Sequence, residues 1–254
     1  MMRNFRNANV LVLVCALLFW LAHLARAEMT AEREFAQLAV VAVCEPVKRS
    51  YQMNKQGESQ LVVRKFPDIP PAQLFLSSEG TGEETQALRV AVGMNSMAGF
   101  IRVPAGEKIS LRLSPAAQSG EAYIQLDPLD ANGSYLVLLQ PKSPTAVVSW
   151  KSSSYQLVKL PRVDRTASQR QFWIFNAAPT PMPIGFGSQS QLVPAGQLVS
   201  CPYRNTRPLR SLYLVRDGKK SNQRIAKLEP QLKLCYVLTA RSDGSFHWLE
   251  LVLP

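Results

Sequence analysis

The sequence predicts an all-β protein made of two tandem, internally repeated immunoglobulin-like β-sandwich domains, with a short helix near the N-terminus. Three observations carry this. Short apolar and β-branched runs are broken by Gly, Pro, Asn and Ser at intervals of roughly 8 to 12 residues, which is the sandwich pattern. The tetrapeptide Val103-Pro104-Ala105-Gly106 recurs as Val193-Pro194-Ala195-Gly196, and at the same offset Ser110 matches Ser200, Tyr123 matches Tyr213 and Asp127 matches Asp217. Finally, 254 residues, 46% of them apolar and only 13 of them Gly, can fill one large core or two small ones. They exclude a disordered, collagenous or multispan membrane chain.

The chain opens with the layout of a secretory signal peptide over residues 1–27. Arg3 and Arg6 precede the apolar run Val10 to Leu24, and Ala25-Arg26-Ala27 supplies a small-x-small cleavage site. The run is shorter than the ~20 residues a spanning helix needs. The expectation is therefore a mature chain starting at Glu28, periplasmic or secreted, with no transmembrane span after cleavage; an uncleaved anchor is the alternative.

Residues 28–65 read as an N-terminal extension. Thr30 is an N-cap candidate, Glu32 and Glu34 follow it, and Phe35, Leu38 and Val41 recur at helical spacing, which predicts a short amphipathic helix over Thr30 to Val43. Arg49 to Glu58 is polar, and Phe66 to Pro71 is expected to be extended because prolines disfavour the helical region in the residues before them. The first sandwich, 66–151, is read from runs at Gln73–Leu76, Ala87–Val92, Phe100–Val103, Lys108–Leu113, Ala122–Leu126, Tyr135–Gln140 and Ala146–Trp150. A basic linker, 152–169, carries Lys159, Arg162 and Arg165, with Tyr155 to Leu160 as an alternative edge strand. The second sandwich, 170–254, is read from Phe172–Asn176, Met182–Phe186, Ser190–Val193, Leu198–Tyr203, Ser211–Arg216, Leu232–Thr239 and Phe246–Leu253. Gln73 to Leu76 is matched to Gln171 to Ile174, and Tyr135 to Leu139 to Tyr236 to Thr239. Each Val-Pro-Ala-Gly reads as a hairpin connector, with Pro setting the first corner and Gly the exit.

Charge separates the halves. Residues 28 to 153 hold 12 basic and 13 acidic side chains, whereas 154 to 254 hold 14 and 5. The second half is suited to an acidic polymer, a membrane surface or an acidic partner protein; the export signal argues against nucleic acid. Arg204, Arg207 and Arg210, three apart in an expected loop, are the candidate partner-binding residues. Trp173, Tyr203 and Tyr213 would serve a sugar chain if exposed, although their strand pattern places them in the core first.

Catalysis finds no support. Beyond the leader the only histidine is His247, within a strand pattern, so no Ser-His-Asp constellation can be assembled. Glu83 and Glu84 lie in a Gly-Thr loop, and the cysteines are too dispersed for a metal site. No catalytic residue, metal or cofactor is expected. In an exported chain Cys201 and Cys235, on two strands of the second domain, are the candidate disulfide. Cys44 is then a buried thiol, an interchain partner, or a competitor for that bridge.

Phe66-Pro67-Asp68-Ile69-Pro70-Pro71 leading into a strand, Arg170 to Ala177 opening the second module, and Leu214 to Lys220 forming a later hairpin together resemble the periplasmic accessory subunit of alginate O-acetylation and its relatives. The resemblance spans roughly residues 66 to 254. It implies a non-catalytic adaptor holding envelope proteins together in exopolysaccharide modification or export. A pilus-type chaperone and a direct binder of acidic polysaccharide are the alternatives.

Overall fold

The apolar run Phe35–Ala42 forms strand β1, not the helix its spacing suggested. Alternate residues enter two different cores: Leu38 and Val40 go to one, Ala39 and Val41 to the other. A strand buried on both faces reads as an unbroken apolar run, so its period of 2 is invisible and a chance helical spacing can be imposed on it. This is a computed structural model, describing residues 34–44, 51–62, 65–78, 87–115, 122–142, 149–161, 171–202, 209–216, 218–227, 233–240 and 245–253. The expected leader, Glu83, Glu84, Tyr203, Arg204 and Arg207 lie outside the described residues.

After β1 come an exposed hairpin of β2 (Tyr51–Met53) and β3 (Ser59–Leu61), then β4 (Gln73–Ser78), β5 (Leu88–Met94), β6 (Ile101–Pro104), β7 (Ile109–Arg112), β8 (Ile124–Leu126), β9 (Ser134–Pro141) and β10 (Ser153–Leu160). β1 lies between β6, antiparallel, and β9, parallel, and β10 continues beyond β9. β5-β4-β7-β8 forms a second set, joined to the first where Val40 faces Val92 on β5. The sheet wraps a core that includes Leu38, Leu74, Leu111, Val137 and Trp150. Two expectations change here. Phe66 to Pro71 is not extended, because Asp68 N–H donates to Lys65 C=O in a turn, as Pro-Asp favours. The first half of the expected linker 152–169 is β10, paired with β9 along its whole length.

The second half comprises β11 (Gln171–Asn176), β12 (Met182–Phe186), β13 (Gln189–Val193), β14 (Leu198–Pro202), β15 (Leu209–Arg216), β16 (Lys219–Lys227), β17 (Lys233–Ala240) and β18 (Phe246–Leu253). Its two sheets, β14-β11-β17-β18 and β13-β12-β15-β16, share a core of Phe172, Ile174, Ile184, Leu212, Tyr236 and Trp248. Phe172 meets Phe186 and Tyr236 edge-on at 5.6 and 5.8 Å, a favourable arrangement of ring quadrupoles.

Both halves use one pairing order. β6-β1-β9-β10 corresponds to β14-β11-β17-β18, and β5-β4-β7-β8 to β13-β12-β15-β16. Loop hydrogen bonds match as well: Val43 N–H to Leu139 C=O corresponds to Ala177 N–H to Leu238 C=O, and Asn95 N–H to Ala42 C=O corresponds to Gly196 N–H to Asn176 C=O. Asn95 and Gly196 even share a positive φ, 53° and 69°. This correspondence is not the one the tetrapeptides suggested. Val103–Gly106 spans the end of β6, whereas Val193–Gly196 starts at the end of β13 and precedes β14, the equivalent of β6. Likewise the counterpart of β11 is β1, not Gln73–Leu76. Neither tetrapeptide makes a hairpin, since β6 and β7, like β13 and β14, belong to different pairings. Their glycines do stand at the exit of each turn, and both are left-handed, with φ of 75° at Gly106 and 69° at Gly196. The order also differs from the immunoglobulin one, in which the first strand pairs with the second and the fourth with the fifth.

A third apolar cluster joins the halves. From the first come Ala39, Val41, Val43, Leu136, Leu138, Val158 and Leu160; from the second come Trp173, Phe175, Ala177, Cys235, Val237, Leu249, Leu251 and Leu253. By the pairing correspondence these include seven pairs of equivalent positions, from Ala39 and Trp173 to Leu160 and Leu253, so the same sheet face is used on both sides. Each large side chain buried there contributes about 1.5–3 kcal/mol.

Candidate functional site

No charged residue occurs between Gln171 and Pro202, whereas Arg204 to Lys227 carries Arg204, Arg207, Arg210, Arg216, Lys219, Lys220, Arg224 and Lys227 against the single acid Asp217. The basic excess of the second half is thus concentrated on β15, β16 and the segment before them. β16 is an edge strand, and its polar sequence is what keeps an open edge from pairing with other chains. That same polarity hid it from a search for apolar alternation.

The hairpin is held firmly. Its register shifts between Leu212 and Leu214, with Asn222 at a φ of 48°, a bulge that twists the edge. Asn222 Nδ2 donates to Phe246 C=O at 3.0 Å, and Trp248 Nε1 donates to Asn222 C=O at 3.0 Å. Arg224 donates to Trp248 C=O at 3.1 Å and pairs with Glu250 at 3.3 Å. β16 is therefore strapped across to β18 on the opposite sheet. At the hairpin's end Lys219 and Lys220 are exposed and form no ion pair among the described residues. The Lys220 ammonium lies 4.4 Å from the centre of the Tyr213 ring, which orients it without neutralising it. That ring is itself fixed, because its hydroxyl donates to Gly187 C=O at 3.2 Å and it lies over Gly185, where a Cβ would overlap it. These are compact cationic charges on a rigid edge, able to bind carboxylate, sulfate or phosphate.

The sequence-predicted residues fare differently. Of the arginine trio, Arg210 is in β15 opposite Ala226, not in a loop. Trp173 and Tyr213 are buried, so neither offers a face to a sugar. His247 is a strand residue opposite Thr239. The expected Cys201–Cys235 disulfide is absent, and both are free thiols. Cys201 faces Phe172 on one side of β11 and belongs to the second half's own core, while Cys235 faces Trp173 on the other side and belongs to the joint between halves. They stand two strands apart on opposite sheet faces, beyond the reach of an S–S bond. Burial pushes each thiol up from 9.0 to about 12. Cys44 is half-buried beside Asn95, whose side chain bonds both its N–H and its C=O. Among the described residues, no group of three or more His, Cys, Asp or Glu could hold a metal ion, and no helix is long and apolar enough to cross a membrane.

Lys219, Lys220 and Arg224 were not singled out from the sequence. The signal that finds them is the contrast between the uncharged stretch 171–202 and the basic stretch that follows. Comparison with protein-family models and with curated proteins finds no match for this chain.

Proposed function

We propose that this is a non-catalytic exported binding protein that holds an acidic partner protein against the β15–β16 edge, in the manner of an envelope adaptor. The observation that carries this reading is the exposed Lys219 and Lys220, which form no ion pair among the described residues, on a hairpin strapped in place within the most basic part of the chain. Export rests on the leader-like residues 1–27. The repeated pairing order supports reading the halves as tandem copies of one β-sandwich module, and the resemblance to the alginate O-acetylation accessory subunit supports a role in exopolysaccharide modification or export. The pilus-chaperone alternative rested on two immunoglobulin-like domains, and the strand order gives it no support. A direct polysaccharide binder would stack sugars on aromatics, and Trp173 and Tyr213 are buried.

The test is co-purification of envelope proteins with the tagged chain, comparing wild type, Lys219→Glu with Lys220→Glu, and Arg204→Glu with Arg207→Glu and Arg210→Glu. Charge reversal at the lysines should abolish the partner while lowering stability by no more than about 0.5–1 kcal/mol, the value of the lost Lys220–Tyr213 contact. Raising the salt from about 0.1 M to about 1 M, which shortens the Debye length from about 10 Å to about 3 Å, should weaken the wild-type contact. A partner retained by both variants at both salts would sink the reading.

A further inference from the structure

Among the described residues the β2–β3 hairpin is the one pair of strands that joins no larger sheet, and none of its residues enters a core. It is nonetheless well built. Asn54 Oδ1 accepts from the N–H groups of Gln56 and Glu58 at 3.0 and 2.8 Å, Asn54 Nδ2 donates to Glu58 at 2.9 Å, and Gly57 turns the chain with a φ of 81°. Because Tyr51 pairs with Leu61, Tyr51, Met53 and Leu61 share one face, leaving Gln52 and Gln60 on the other. The three are 57%, 74% and 51% exposed. A lone two-stranded hairpin is marginal in water and gains from any surface that covers its apolar face.

Charge indicates which surface. Between Lys48 and Lys65 the sequence carries Lys48, Arg49, Lys55, Arg64 and Lys65 against one acid, Glu58; Lys55 and Lys65 are exposed. A second copy on this face would set two basic flanks against each other. A bilayer with anionic headgroups satisfies both the charge and the apolar face. We propose that the β2–β3 hairpin docks on anionic phospholipid membranes, with Tyr51, Met53 and Leu61 entering the headgroup–acyl boundary and Lys55 and Lys65 meeting phosphates. This surface belongs to the other half from the β15–β16 edge, so the two can fail independently.

The experiment is flotation of the full chain with vesicles of phosphatidylcholine alone or with phosphatidylglycerol added. Wild type is compared with Tyr51→Ser/Met53→Ser/Leu61→Ser and with Lys55→Glu/Lys65→Glu. All three keep Val10–Leu24, so its contribution cancels. Phosphatidylglycerol should raise wild-type binding, and each variant should lose about tenfold of it with an unchanged melting temperature, since the hairpin touches no core. A local readout accompanies it: the emission added by Tyr51→Trp should be quenched by brominated lipid. Equal binding by wild type and variants, no quenching, self-association lost in the serine variant without lipid binding, or capture of a protein in place of lipid would each overturn the proposal.

Discussion

At Asn176, a residue with nothing in the sequence to distinguish it, a side chain buried to 0% exposure makes three hydrogen bonds to backbone groups. Its Nδ2 donates to Thr180 C=O and Val193 C=O, each at 2.9 Å, and its Oδ1 accepts from Ala178 N–H at 3.1 Å. Asn176→Ala should cost about 1–3 kcal/mol, because it strands the buried Val193 carbonyl and the buried Ala178 N–H; thermal or urea unfolding measures it. The cysteines invite a second measurement. With ordinary values of 9.0 raised to about 12 by burial, Cys201 and Cys235 stay protonated in the folded chain while the unfolded chain ionises them from about pH 9. A raised folded value gives stability that is complete below pH 9 and lost as pH climbs toward 12. The melting temperature should fall across that window, less steeply in Cys201→Ala/Cys235→Ala than in wild type. Iodoacetamide should reach both thiols only after unfolding, whereas a Cys201–Cys235 peptide from native protein would contradict the sheet parity that separates them.

Strands show which sequence signals survive folding. Most of the strands read from short apolar and β-branched runs are present, and Phe246–Leu253 matches end to end. β1, β9 and β11 are all buried on both faces and show no alternation; β9 and β11 are legible from turn residues that bound a short run, whereas the alanine-rich β1, preceded by an N-cap candidate, carries a chance helical spacing. β16 was missed because an edge strand protected by Lys and Arg has no apolar alternation to read. Val-Pro-Ala-Gly is legible as a turn with glycine at its exit but not as a hairpin or an alignment, since the same corner can serve two different connections. Gly185 illustrates a constraint that only strand register reveals, because it sits opposite Tyr213 on β15 and leaves room for that ring. Gly185→Val should cost about 1–3 kcal/mol by displacing a ring anchored through its hydroxyl. Adding Tyr213→Ala should make the pair less destabilised than the sum of the single changes. Strict additivity in urea unfolding would mean that the ring and the glycine are not coupled.

For the whole molecule, the joint between halves decides whether an adaptor reading means two loose arms or one body. The expected picture, two domains on a basic linker, would leave the outer faces of β1, β9, β11 and β17 polar; instead Ala39, Val41, Leu136, Leu138, Trp173, Phe175 and Val237 are buried there. Domains within a chain move freely by default unless their interface is large and hydrophobic, and this one is apolar on both sides. A partner on the β15–β16 edge is then held at a fixed position relative to the β2–β3 hairpin's half. Calorimetry should show one cooperative transition for both halves. Leu138→Asp places a carboxylate among the apolar side chains of the joint and should cost about 4 kcal/mol or more, while leaving each half's own core, built from the opposite strand faces, with its residues intact. The expected result is a split into two transitions at lower temperature, with the second half melting independently of the substituted first. A single unsplit transition lowered by less than about 1 kcal/mol would show that the shared face does not couple the halves, and the two binding surfaces would then have to be treated as independently mobile.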